Sequence, residues 1–212
     1  MVDRVLIFGD SITEGKWDRQ GGWAQRLIND YLVQGIADLE ADVPLLFNLG
    51  VSADSTLELL ARFEHETKAR QRPNMAFVFA IGTNDSRIDG STPFLTQEQY
   101  AANIESLVAQ AKQFAPTHRM LFVGLPPCDE ARTTPVSWRD TSYTNERIKQ
   151  FDQTIQKVCA KLGTHYVPVF EPYQAQQATK GDMLLDGLHP DDAGHNLIYE
   201  QVKPALQNLL KS

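Results

Sequence analysis

Val5-Leu6-Ile7-Phe8-Gly9-Asp10-Ser11-Ile12-Thr13 opens with four apolar residues that give way at once to Gly, Asp and Ser. The apolar run is too short for a helix, and no polar residue interrupts it as in a half-exposed strand. It predicts a strand buried on both faces, the kind found in parallel sheets. Parallel neighbours need long crossovers, usually helices. The rest of the chain should therefore alternate short apolar runs with helical periods.

It does. Further strand-like runs lie at 45–49, 75–81 and 120–123, with a shorter one at 166–169, all bounded by Gly, Pro or polar residues. Between them apolar residues recur at three and four, as in Trp23, Leu27, Ile28 and Tyr31, or in Ile104, Leu107, Val108 and Ala111. Residues 145–162 repeat the pattern with Ile148, Phe151, Ile155, Val158 and Cys159. A last helix is expected from Asp191 or Asp192, carrying Leu197, Ile198, Val202, Leu206 and Leu209, with a kink or break at Pro204. The reading is an α/β fold with a central parallel five-stranded sheet covered on both faces, in one domain over 1–212.

Composition narrows the function. The 212 residues are 42% hydrophobic and 22% charged, as in ordinary globular domains. A formal net charge of −7 argues against nucleic-acid binding and basic membrane-surface modules and, unless a local Arg overrides the field, against strongly anionic substrates. No apolar stretch reaches the roughly 18 residues that span a bilayer, and residues 1–8 do not read as a signal peptide. No stable membrane association and a cytoplasmic location are expected. Cys128 and Cys159 suit reduced thiols better than a disulfide or a metal site.

In a parallel sheet, ligands bind beyond the carboxyl ends of the strands. Four segments fall there: Gly9-Asp10-Ser11-Ile12-Thr13, Asn48-Leu49-Gly50, Gly82-Thr83-Asn84-Asp85 and Asp186-Gly187-Leu188-His189-Pro190. Acyl transfer needs a nucleophile, a base, a group that orients the base, and donors for an oxyanion. Ser11, His189 and Asp186 supply the first three. The N–H groups of Ser11 and Gly50 and the Asn84 amide supply the last. A turn through Gly187 would carry Asp186 to Nδ1 of His189 and leave Nε2 facing Ser11. A lone Ser after a strand is commonly just a helix N-cap, and its companions are what favour a nucleophile. Asp10 reads as turn support, His195 as a structural or solvent-facing group. Arg87, in the loop 86–96, and Trp138, in the loop 126–141, are candidates for touching substrate, and Trp17 for a cleft wall.

On these four blocks the chain resembles the SGNH hydrolases, the GDSL-type esterases and lipases. Ile12-Thr13 stands where some members carry Leu and Ser. The resemblance implies a three-layer, flavodoxin-like α/β/α sandwich and hydrolysis of an ester or thioester without a cofactor. It implies the same assignments: Ser11, Gly50, Asn84 and His189, with Asp186 completing the triad. The absence of a long apolar insertion favours short acyl chains on small soluble ester substrates.

Four other readings compete. An acyltransferase would use the same triad. A ligand- or carbohydrate-binding module would keep the fold without the chemistry, but would not need the set intact. A two-metal phosphoesterase, suggested by Asp10, Asn84-Asp85, Asp186, His189 and His195, lacks an Asp-x-His pair near the first strand and has only two His in plausible ligand positions. A phosphate-binding loop would need glycine spacing and a Lys that 9–15 lacks.

Overall fold

The computed structural model describes residues 2–211. In chain order the elements are β1 (Arg4–Gly9), α1 (Ser11–Glu14), α2 (Gly22–Ala37), β2 (Leu45–Gly50), α3 (Thr56–Ala69), β3 (Met75–Ala80), β4 (Ile88–Asp89), β5 (Thr92–Pro93), α4 (Gln97–Ala111), β6 (Met120–Val123), α5 (Glu130–Thr133), β7 (Thr141–Ser142), α6 (Asn145–Leu162), β8 (His165–Val167), α7 (Phe170–Lys180) and α8 (Asp192–Lys211).

The central sheet is parallel, in the order β2-β1-β3-β6-β8. With the first strand inside and the crossovers on either side, this is the flavodoxin-like doubly wound order. The period of two along each strand sends alternate residues to opposite cores. Leu6, Phe8, Phe77, Phe79 and Phe122 face α3, α4 and α6, where Phe63, Tyr100 and Phe151 meet them. Val5, Ile7, Val78, Leu121 and Val123 face the other layer, built on Trp23, Leu27, Leu197, Ile198 and Val202. On the aromatic side, Phe79 stands 4.9 Å from Phe122 and Phe8 stands 5.1 Å from Phe63. Each such pair adds about 0.5–1.5 kcal/mol beyond burial.

Three features depart from the sequence reading. The fifth strand starts and ends earlier, at His165–Val167, and α7 follows almost at once. Only Phe170 and Tyr173 of α7 are buried, so it shows no apolar period. Second, β4, β5 and β7 form a small antiparallel sheet that joins the loop after β3 to the loop before α6. Third, α8 runs unbroken through Pro204. Pro204 is exposed, and so is Glu200, whose carbonyl it leaves without a donor and which can turn to water. Val202, Leu206 and Leu209 meanwhile hold the opposite face against the sheet. Among the described residues no helix is long and apolar enough to cross a membrane.

Candidate active site

The loops that leave the carboxyl ends of β1, β2 and β3 meet the loop before α8. Ser11 is the first residue of α1, and Asp10 caps that helix by accepting the Ile12 N–H at 2.9 Å. The Ser11 N–H thus lies in a first turn, where helix N–H groups lack intrahelical partners. Its Oγ lies 2.9 Å from His189 Nε2, across 178 positions of sequence. His189 Nδ1 lies 2.7 Å from Asp186 Oδ2. A carboxylate only accepts, so Nδ1 carries the proton and Nε2 is left to accept from the Ser11 hydroxyl.

The loop holding this pair is closed on itself. Gly187 turns at φ +91°, a left-handed conformation unfavourable to other residues. The Leu185 N–H donates to the His189 carbonyl at 2.9 Å. Asp186 Oδ1 accepts the N–H groups of Leu188 and His189 at 3.0 and 2.8 Å. Trp17 Nε1 adds a donor to Oδ2 at 2.9 Å. Burial alone would raise the Asp186 pKa. The bonds from the His189 ring, the His189 N–H and the Leu188 N–H override it and hold the carboxyl well below the usual carboxylate range.

Asn84 lines the same cleft as Ser11 and His189. Among the described residues its Nδ2 donates once, to the Asp54 carbonyl at 2.9 Å, leaving its second hydrogen unspent there. The Tyr143 hydroxyl donates to Asn84 Oδ1 at 3.0 Å and so fixes which way the amide faces. Burial pushes the Tyr143 phenol up to about 12, which keeps it a donor. Asp85 turns inward, where both its oxygens accept the Thr56 N–H at the start of α3.

Gly50 is a correction. Its N–H is spent on Asn48 Oδ1 at 3.0 Å, and it is not among the residues lining the cleft. Its lack of a side chain has another cause: a Cβ there would come within 2.2 Å of the Glu14 N of α1. Three residues on, Ala53 lines the cleft at φ +70°, a strained conformation for a residue with a Cβ. Its N–H has no hydrogen-bond partner among the described residues.

Arg87 and Trp138 both line the cleft, and the Trp138 ring lies 6.3 Å from that of His189. His195 is fully buried. Its Nδ1 accepts the Trp23 N–H at 3.4 Å, and its Nε2 faces the Lys16 carbonyl at 3.2 Å. Burial lowers its pKa, consistent with a neutral structural group. Among the described residues no group of three His, Cys, Asp or Glu side chains is arranged to hold a metal.

Sequence reasoning missed Ala53, Tyr143 and the bond from Trp17. Ala53 carried no signal, because Ala is not the residue a left-handed position leads one to expect. Tyr143 directly follows a two-residue strand, Thr141–Ser142, that no periodicity reveals.

A Ser–His–Asp line, its Ser and His buried and its Asp half-buried, at the carboxyl edge of a parallel sheet is the apparatus of acyl transfer. The model of the GDSL-like lipase/acylhydrolase family matches residues 7–197, and the chain belongs to that family of carboxylic ester hydrolases. It is 25% identical over 213 residues to a GDSL esterase/lipase of Arabidopsis thaliana, covering 95% of this chain and 84% of that one. It is 26% identical over 218 residues to the isoamyl acetate-hydrolyzing esterase 1 homolog of Mus musculus, covering 99% and 83%. A lipase/acylhydrolase from Enterococcus faecalis has a similar structure, with a TM-score of 0.74 at 21% identity over 98% of this chain and 96% of that one. So has the acetylxylan esterase Axe2 of Geobacillus stearothermophilus, at 0.73 and 17% over 96% and 94%.

Proposed function

We propose that the protein hydrolyses carboxylic esters or thioesters with short acyl chains through an acyl-enzyme on Ser11. Ser11 Oγ attacks the carbonyl carbon while its proton passes to His189 Nε2. Asp186 holds the imidazole in the accepting tautomer and stabilises the imidazolium that forms. The tetrahedral oxyanion is met by the N–H groups of Ser11 and Ala53 and the free hydrogen of Asn84 Nδ2. As it collapses, the leaving-group oxygen or sulfur departs with the proton from His189. A water, deprotonated by His189, then attacks the acyl-enzyme and frees the acid and Ser11.

The observation that carries this reading is the continuous line from Ser11 Oγ through His189 to Asp186, at 2.9 and 2.7 Å. The cleft volume of about 120 Å³ supports the short acyl chain. That is room for roughly four water-sized groups.

The test is hydrolysis of p-nitrophenyl esters from acetyl to long acyl, by wild type and Ser11→Ala in parallel. Turnover should peak at the shortest chains and fall in the variant to the residual that donors and binding alone support, a loss of roughly 10⁴–10⁶-fold. Undiminished hydrolysis by Ser11→Ala would overturn the mechanism, and an optimum at long acyl chains would overturn the substrate class.

A further inference from the structure

Cleavage of a neutral short ester calls for no cation beside the nucleophile. Yet Lys16, Arg87 and Arg139 all line the cleft that holds Ser11 and His189, and among the described residues no Asp or Glu lines it. Acids are not scarce in this chain, which carries 27 of them against 20 Lys and Arg. Several arginines elsewhere are paired with carboxylates. Arg26 sits 2.8 Å from Asp18, Arg62 lies 2.6 Å from Asp54, and Arg132 holds Asp129 and Asp182 at 2.7 and 2.5 Å.

In the cleft two guanidinium groups share one carboxylate. Arg87 Nε bonds Asp89 Oδ2 at 3.0 Å, while Arg139 Nη2 approaches Asp89 Oδ1 only to 3.9 Å. Arg87 Nη1 reaches the Asn84 carbonyl at 3.3 Å, and its Nη2 has no partner among the described residues. The Lys16 ammonium pairs with no carboxylate among the described residues and lies 5.3 Å from the centre of the Trp17 ring.

Arg87 and the backbone of Lys16 are also held in place. Arg87 lies over the Phe94 ring at 3.5 Å. The Lys16 backbone is fixed between the Ser11 carbonyl, which takes its N–H at 3.0 Å, and the buried His195. Donors with unspent hydrogens, lining the cleft of the nucleophile in an acidic protein, are the arrangement that recognises an anion.

We propose that the cleft selects esters carrying a negatively charged group such as a carboxylate, bound by Arg139, by Nη2 of Arg87 and by Lys16. The inference rests on the serine-esterase reading and narrows its substrate class. The charge can sit on the acyl part or on the leaving group, and both positions are within the test.

For the acyl part, kcat/KM on monomethyl succinate is compared with methyl butyrate, its neutral counterpart in length. For the leaving group, 3-acetoxybenzoate is compared with phenyl acetate. At least one anionic ester should be preferred by roughly tenfold, the size of one charge-assisted hydrogen bond. That preference should shrink in about 0.5 M salt, which screens partly exposed charges. Arg139→Gln and Lys16→Gln, both at exposed or half-exposed side chains, should each lower the anionic-to-neutral ratio by about threefold or more. The more affected pair of esters identifies where the charge sits.

Ratios at or below one in both pairs, with the neutral esters turned over, would overturn the inference and leave the esterase reading standing. So would a preference that neither substitution changes. Absence of Ser11-dependent turnover on every ester would overturn the esterase reading, and this inference with it.

Discussion

Asp186 Oδ2 accepts from two side chains at once, His189 Nδ1 at 2.7 Å and Trp17 Nε1 at 2.9 Å. Trp17 is itself strained, at φ +69°, and its ring is half exposed. Strain of that kind persists only where surrounding contacts fix it, and the bond to Asp186 is one such contact. Trp17→Phe keeps an aromatic ring, smaller than the indole, and removes the donor. It should lower kcat on a short aryl ester about three- to tenfold, the worth of a partly exposed hydrogen bond to a charge. Trp17 does not line the cleft of Ser11, contrary to the cleft-wall expectation, and an unchanged kcat would reduce its bond to Asp186 to a structural contact.

Gly50 and Ala53 give a paired test at the same scale. Gly50→Ala would drive a Cβ to 2.2 Å from the backbone of α1. It should destabilise the fold by roughly 1–3 kcal/mol, as overpacking does. Ala53→Gly relieves a left-handed residue at the cost of some chain entropy, and should be neutral to about 1 kcal/mol stabilising. Thermal denaturation of the two variants should shift in opposite senses or, at the least, differ by several degrees. Equal shifts would contradict the packing described for Gly50. The sequence makes visible that a Gly ends the second strand. It does not say whether that N–H faces a cleft or, as here, the Asn48 side chain.

At the scale of elements, legibility follows burial. β1, β3 and β6 are fully enclosed or nearly so, and their uninterrupted apolar runs are readable without any partner. α4, α6 and α8 bury a whole face, and their periods are equally plain. α7 buries two residues, and β4, β5 and β7 have two residues each, too few to carry a period. The small sheet is nonetheless what brings Tyr143 to Asn84. Pro204 misled for a different reason: tertiary packing of α8 outweighs a local cost of up to ~3 kcal/mol. That cost is recoverable. Pro204→Ala allows a bond from its N–H to the Glu200 carbonyl on the exposed face, and should stabilise the protein by about 1–3 kcal/mol. At this chain length that is a rise in Tm of roughly 2–4 °C per kcal/mol. A fall in Tm would mean that the ring makes contacts α8 depends on.

At the scale of the molecule, the site draws on both ends of the chain and on carboxyls, two buried and one half-buried, that oppose one another in their response to pH. Burial raises Asp10 from 3.8 to about 7, against the pull of the Ile12 N–H, and raises Asp85 to about 6. Asp186 is shifted the other way. A carboxyl raised in the folded state binds its proton more tightly there than in the unfolded chain. Its contribution to stability is therefore complete below the unfolded value and is lost as pH rises toward the folded one. For Asp10 that window runs from about pH 4 to about pH 7. Asp186 contributes stability above its unfolded value that is lost only as pH falls through its lowered folded value. Asp10→Asn isolates the first effect, because Asn keeps an oxygen to cap α1 and cannot ionise. Its Tm relative to wild type should be similar near about pH 4 and higher by several degrees near about pH 7.5, an effect on the order of a few kcal/mol. A difference that stays constant with pH would show that Asp10 is ionised throughout. The helix carrying Ser11 would then be capped by a buried carboxylate stabilised by more than the Ile12 N–H.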